Sequence, residues 1–121
     1  MLRNETLESD QSLVVPSTGS QQAVEVVGAL PVCLQTYDLA RHVAVAPNDK
    51  KYVVATFDDT RLGRGYVTAI YPQQNGYLTL LRLVLCELRS ETREEAVHRH
   101  TFCIQVVQQG KLSRFVRSLQ A

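Results

Sequence analysis

Apolar and polar positions are most clearly organised between Lys51 and Leu88, where three apolar runs are separated by two turn signals. The first signal is Asp58-Asp59-Thr60, with Gly63 and Gly65 close behind. The second is Pro72-Gln73-Gln74-Asn75-Gly76. Asn-Gly favours a tight hairpin because both residues tolerate positive φ. The pattern predicts a three-stranded antiparallel meander. Within it, Lys51 to Phe57 places Val53, Ala55 and Phe57 on one face and Tyr52, Val54 and Thr56 on the other. Tyr66 to Tyr71 is also apolar on both sides. Strands with two apolar faces suit a small barrel or a strongly bent sheet, where both faces are at least partly covered.

Tyr77 to Leu88 fits two periods. As a strand it turns Leu78, Leu80, Val84, Cys86 and Leu88 one way, with Arg82 the exception. As a helix, Tyr77, Leu80, Leu81, Val84, Leu85 and Leu88 form one stripe. The Asn75-Gly76 turn favours the strand. The helical alternative gives an α+β fold with a helix over residues 77–96. Elsewhere, His42-Val43-Ala44-Val45 reads as strand and Pro47-Asn48-Asp49 as turn. Ala23 to Leu30 leans towards strand and is closed by Pro31. Arg89 to Arg99 reads as a loop or exposed helical turn, and Thr101 to Val107 as a strand with Phe102, Ile104 and Val106 on one face. Gln108-Gln109-Gly110 is a break. After it, Leu112, Phe115, Val116 and Leu119 recur at helical spacing, expected to pack on the sheet with Lys111, Arg114 and Arg117 in solvent.

The chain has 121 residues, 45% of them apolar, which fits one domain with its own core. Residues 1–22 are polar and acidic around Leu13-Val14-Val15 and read as a mobile arm; residues 23–121 read as a single small β domain. No apolar run reaches membrane-spanning length, and the first residues lack the apolar middle of a signal peptide. The expectation is a cytoplasmic protein with no membrane partner. Cys33, Cys86 and Cys103 are odd in number and lie in apolar stretches, so they read as buried reduced thiols. The net charge of +1 hides an asymmetry. From Val97 onward there is no Asp or Glu, while Arg99, Lys111, Arg114 and Arg117 make that segment +4 and leave the rest at −3. A basic segment suits nucleic acid or an acidic protein.

The meander resembles the Sm-like fold, a five-stranded SH3-like barrel. Asp58 and Asp59 stand at the family's acidic turn, Gly63 or Gly65 at its glycine, Val67, Ala69 and Ile70 in its apolar run, and Asn75 before Tyr77-Leu78. The resemblance covers residues 51–88, about a third of the chain, and implies a small antiparallel barrel. The chain departs from the family in having Asp59-Thr60 where a glycine follows the acidic residue. Gln109-Gly110 stands near the second motif's basic residue and glycine, with its apolar residues one place early.

Candidate chemistry is sparse. His98, His100 and Cys103, with Cys86, could be assembled into a zinc site, but no CxxC pair is present and Cys103 is out of phase with the histidines on a strand. They read instead as two surface histidines beside a buried thiol. No nucleophile signature accompanies His42, His98 or His100. Arg61-Leu62-Gly63-Arg64-Gly65 could hold a phosphate, yet lacks the end of a P-loop. Tyr52, Tyr66, Tyr71 and Tyr77, among Arg61, Arg64 and Arg82, could stack on bases, though tyrosines half-buried in a sheet are commoner. The chain therefore reads as a non-enzymatic binding or assembly module, without cofactor or metal, that associates with itself or with a protein partner. The alternatives are RNA or single-stranded DNA binding, or sensing of an anionic small ligand such as a nucleotide. Arg61, Arg64, Tyr66, Arg82, Arg114 and Arg117 are the candidate contacts.

Overall fold

The structure, a computed structural model, describes residues 22, 24–73 and 84–120. Its strands are β1 (Leu30–Pro31), β2 (Asp38–Val45), β3 (Lys51–Asp58), β4 (Tyr66–Pro72) and β5 (Cys86–Ser90), followed by helices α1 (Arg93–Gln108) and α2 (Leu112–Gln120). The strands pair in chain order, each antiparallel to the next. Among the described residues the sheet is open, with β1 and β5 as its edges, so the expected closure into a barrel is not seen there. The mainly β reading and the meander through β3, β4 and β5 both hold.

Turn chemistry fixes the first two hairpins. Between β2 and β3, the Asp49 amide donates to the Ala46 carbonyl at 2.9 Å and the Ala46 amide to the Lys50 carbonyl at 2.8 Å, with Asp49 at φ 69°. Between β3 and β4, a short 3₁₀ turn (Thr60–Leu62) ends at Gly63 in the left-handed region. Gly65 then passes so close to β5 that a Cβ there would lie 2.5 Å from the Ser90 carbonyl oxygen. The third hairpin departs from expectation. A two-residue turn at Asn75-Gly76 would bring Ile70 opposite Leu81, whereas Ile70 pairs with Cys86. The Asn-Gly signal and Tyr77 to Leu83 lie outside the described residues; Cys86–Ser90 is strand, and the helix expected over 77–96 begins only at Arg93.

Thr101 to Val107, expected as a strand, lies inside α1. Three local signals outweigh the apparent alternation. Thr92 caps the helix by accepting from the Glu95 amide at 3.1 Å, while the Glu95 carboxylate accepts from the Glu91 amide at 2.9 Å, close to a capping box. Ala96, His100, Cys103, Ile104 and Val107 are all buried, and they recur at helical spacing. At the other end Gly110, φ 72°, lets its amide donate to the Val107 carbonyl and the Lys111 amide to the Val106 carbonyl, a Schellman ending.

One face of the sheet carries α1. Ala44, Val54, Ile70 and Cys86 meet Cys103, Ile104, Val106 and Val107 from the helix and Leu112 from α2. The helical reading of α2 holds, and its packing follows the expected one except at Leu119, since Phe115 and Val116 pack partly against the core and Lys111, Arg114 and Arg117 are exposed. Of its four apolar positions Leu112 is buried, Phe115 and Val116 are half-buried, and Leu119 is 44% exposed. Two of the three cysteines, Cys86 and Cys103, are buried as expected; Cys33 is exposed. The opposite sheet face holds Val43, Ala55, Val67 and Ala69, also buried.

Ile104 is fully buried in the helix–sheet core, so Ile104→Ala should cost about 2–5 kcal/mol. Leu119→Ala should stay within about 0.5 kcal/mol. Urea denaturation of the two variants measures the contrast, and equal losses would mean that α2 packs more tightly than described.

Candidate functional site

Alternation along β2 points Ala40, His42 and Ala44 at the same face, the one under α1. On neighbouring strands Thr56 and Thr68 point there too, directly paired across β3 and β4. From above, α1 delivers His100 among Ala96, Cys103, Ile104 and Val107. These four polar side chains form one continuous chain. His42 Nδ1 lies 2.8 Å from His100 Nε2. His100 Nδ1 lies 2.8 Å from Thr56 Oγ1, which lies 2.7 Å from Thr68 Oγ1. All four residues are at least 99% buried. The two rings are tilted by 56°, with centroids 5.0 Å apart.

Burial sets the charge state of this chain. It pushes His100 down to about 3, with His42 acting in the same sense. His42 is also lowered by burial, an effect that Glu25 opposes. Both rings are therefore neutral near pH 7, each with one donor and one acceptor nitrogen. The expectation of two surface histidines is corrected: His98 is exposed, but His100 is not. Two positions apart on a helix they face away from each other, so they cannot share a metal. Among the described residues no group of three or more His, Cys, Asp or Glu side chains could hold a metal ion. The buried thiols are pushed up, Cys86 to about 11 and Cys103 to about 12, by burial first. Neither supplies a thiolate near neutral pH.

The anticipated arginine cluster is internally paired. Asp59 is 2% exposed. Its Oδ2 is 2.5 Å from an Arg64 nitrogen and its Oδ1 3.4 Å from Arg61. Arg61 also lies over the Tyr37 ring at 3.9 Å. Both guanidiniums thus serve the β3–β4 loop, where the Leu62 and Arg64 amides donate to the Asp59 carbonyl. Tyr66 begins β4 and is half-buried, as are Tyr52 and Tyr71, the outcome expected of sheet tyrosines. On the far face Tyr71 takes a hydrogen bond from Arg41, whose Nε is 2.7 Å from Asp38. Arg82 and Tyr77 lie outside the described residues.

Arg114 and Arg117 sit on α2, which begins beside Pro47 at the β2–β3 turn. The eight residues of β3 separate that end from the Arg61 loop, about 25 Å at 3.3 Å per residue. The five candidate contacts among the described residues therefore do not converge. What α2 does form is a surface with α1. Phe102 and Phe115 meet edge to face, centroids 5.5 Å apart. Phe102 is 49% exposed and Leu119 44%. Lys111, Arg114 and Arg117, all exposed, lie off this apolar stripe. Among the described residues no helix is long and apolar enough to cross a membrane.

Because His100 titrates near 6.5 when unfolded and near 3 when folded, the unfolded chain binds the extra proton between those values. The stabilisation is complete above pH 6.5 and is lost as pH falls towards 3. Its slope reaches about 1.4 kcal/mol per pH unit, and His42 adds in the same direction. Thermal melts at about pH 7.5 and about pH 4.5 should show a lower Tm at the acid value. His100→Gln should reduce that dependence, and an unchanged slope in the variant would place the acid sensitivity elsewhere.

Compared with family models, curated proteins and solved structures, the chain matches none.

Proposed function

We propose that this protein is a non-enzymatic binding module whose α1–α2 face takes an apolar protein segment with acidic flanks. The observation that carries this reading is the Phe102–Phe115 pair beside Leu119, half in solvent, on the segment that holds no acid after Val97. Aromatic rings exposed next to arginine are the composition of interface hot spots. Leu112 is buried in the core and Phe115 and Val116 pack partly against it, which leaves Leu119 and the exposed side of the Phe102–Phe115 pair for a partner. Like charges on Lys111, Arg114 and Arg117 oppose pairing of this face with a second copy of itself. The Sm-like resemblance of residues 51–88, in a family that works by assembly, also favours a binding role.

The pairing of Arg61 and Arg64 with Asp59 favours this reading over nucleotide capture at that loop, and the raised thiol pKa values weigh against Cys86 or Cys103 as nucleophiles. Among the described residues, a nucleic-acid reading then draws chiefly on Arg114 and Arg117 of α2.

Two variants test the proposal: Phe102→Ser with Leu119→Ser, and Arg114→Glu with Arg117→Glu. Both should retain the wild-type melt, since neither pair is in the core. Proximity labelling by the wild-type chain, compared with each variant, should lose the same protein neighbours in both. Neighbours that survive both substitutions overturn the reading. Anisotropy with mixed RNA oligonucleotides should show no saturable binding; salt-sensitive binding lost in the Arg114→Glu, Arg117→Glu variant would put nucleic acid in the partner's place.

A further inference from the structure

The buried histidine chain ends, at His42, at the floor of a surface cleft. Glu25, Val26, Val27, Ala29, Pro31 and His42 line an open surface cleft of about 430 Å³, within the size range of small-molecule sites. The segment over it is anchored: the Ala29 amide donates to the Val26 carbonyl at 3.1 Å, and Gln108 Nε2 on α1 donates to the Val27 carbonyl at 2.9 Å. His42 Nδ1 is engaged by His100, so Nε2 is the ring nitrogen left for the cleft.

Donor and acceptor accounting leaves this chain two directions. In the first, His42 Nδ1–H donates to His100 Nε2, His100 Nδ1–H donates to Thr56 and the Thr56 hydroxyl donates to Thr68. His42 Nε2 then offers a lone pair to the cleft. In the second, every donor reverses and Nε2 offers a proton. The occupant of the cleft selects between them. A carboxylate, Glu25, lines the same cleft and favours a cation. A cation carrying N–H groups needs acceptors, which is the first direction. Val26, Ala29 and Pro31 at its sides suit a hydrocarbon stem rather than a second charge.

We infer that this cleft binds a short aliphatic primary ammonium, with Glu25 as its counter-ion and His42 Nε2 accepting one of its protons. The far end of the chain takes part: Thr68 is the final acceptor that lets Thr56 turn its hydroxyl away from His100. This site is independent of the α1–α2 face and of any partner bound there.

Long-range ¹H–¹⁵N spectra of the histidine rings, recorded on the full chain near neutral pH, test the inference with n-butylammonium chloride as the probe. The expected result is a saturable shift of His42 Nε2, with the proton of both buried rings on Nδ1 at saturation. Sodium butyrate should give no such shift. Glu25→Gln should weaken binding by about tenfold, equivalent to about 1.4 kcal/mol. Thr68→Val leaves the cleft walls intact but favours the reversed direction, so it too should weaken binding. The inference is overturned by any of four results: no saturable shift, a shift with butyrate instead, butylammonium binding that Glu25→Gln leaves unchanged, or a proton found on His42 Nε2 at saturation. Zinc chloride serves as a further probe. Saturable ring shifts with zinc but not with butylammonium would overturn it in favour of a metal ion.

Discussion

A polar group can lie between a helix and a sheet only if its hydrogen-bonding capacity is met within that interface, because water is excluded there. His100 meets this condition with both ring nitrogens, one through His42 on β2 and one through Thr56 on β3, and Thr68 on β4 completes the series. Apolar contact between α1 and the sheet is larger in area but has little direction; Ile104 and Val107 would bury nearly as well after a small slide of the helix. The hydrogen bonds have no such tolerance. They tie one helical residue to three consecutive strands and so select a single seating of α1 from several that would bury similar area.

The remaining features follow from that seating. With α1 fixed over β2, β3 and β4, its C-terminal end comes to rest near the β2–β3 turn, where Gly110 lies against Pro47. The chain reverses there, and α2 is held by the buried Leu112 with Phe115 and Val116 packed partly against the core. Leu119, further along the helix, is left largely in solvent. At the opposite end of β3 the buried Asp59 organises its own loop, drawing Arg61 and Arg64 inward. Among the described residues, the Arg61–Arg64 pair bound to Asp59 and the exposed Arg114 and Arg117 therefore lie at opposite ends of the sheet.

Legibility in the sequence tracked the range of the interaction involved. Period-two patterns and turn residues identified β2, β3 and β4, since alternation and Pro-Asn-Asp or Asp-Asp-Thr signals act within a few residues. The helical period of α2 was visible for the same reason. At α1, Phe102, Ile104 and Val106 imitated a strand, while the Thr92–Glu95 cap and Gly110 ending that define a helix flanked the window being read. The Asn75-Gly76 signal indicated a hairpin, but not the register in which Ile70 meets Cys86. Least legible was the His42–His100 contact, which joins residues 58 positions apart. Single histidines in apolar surroundings give no sign of each other, and only the packing of α1 on β2 brings them together. The pairing of Arg61 and Arg64 with Asp59 was hidden differently: an acidic residue close to two arginines reads as a solvated turn until its burial is known.

Strand order along the sheet equals strand order along the chain, and this bears on how the molecule assembles over time. No strand has to wait for a distant segment before it finds its neighbour. The connections are local, at most thirteen residues between β4 and β5, so the entropic penalty of closing each is modest. A chain emerging from its N-terminal side can add β2, β3, β4 and β5 in turn, each onto an edge already formed. The helix that covers them comes last, and until it arrives the face bearing His42, Thr56 and Thr68 is open to water, which can satisfy those groups. The seating of α1 is thus also the step that dehydrates them, and the late stage of folding is the moment at which the polar chain replaces its solvent partners with its own members.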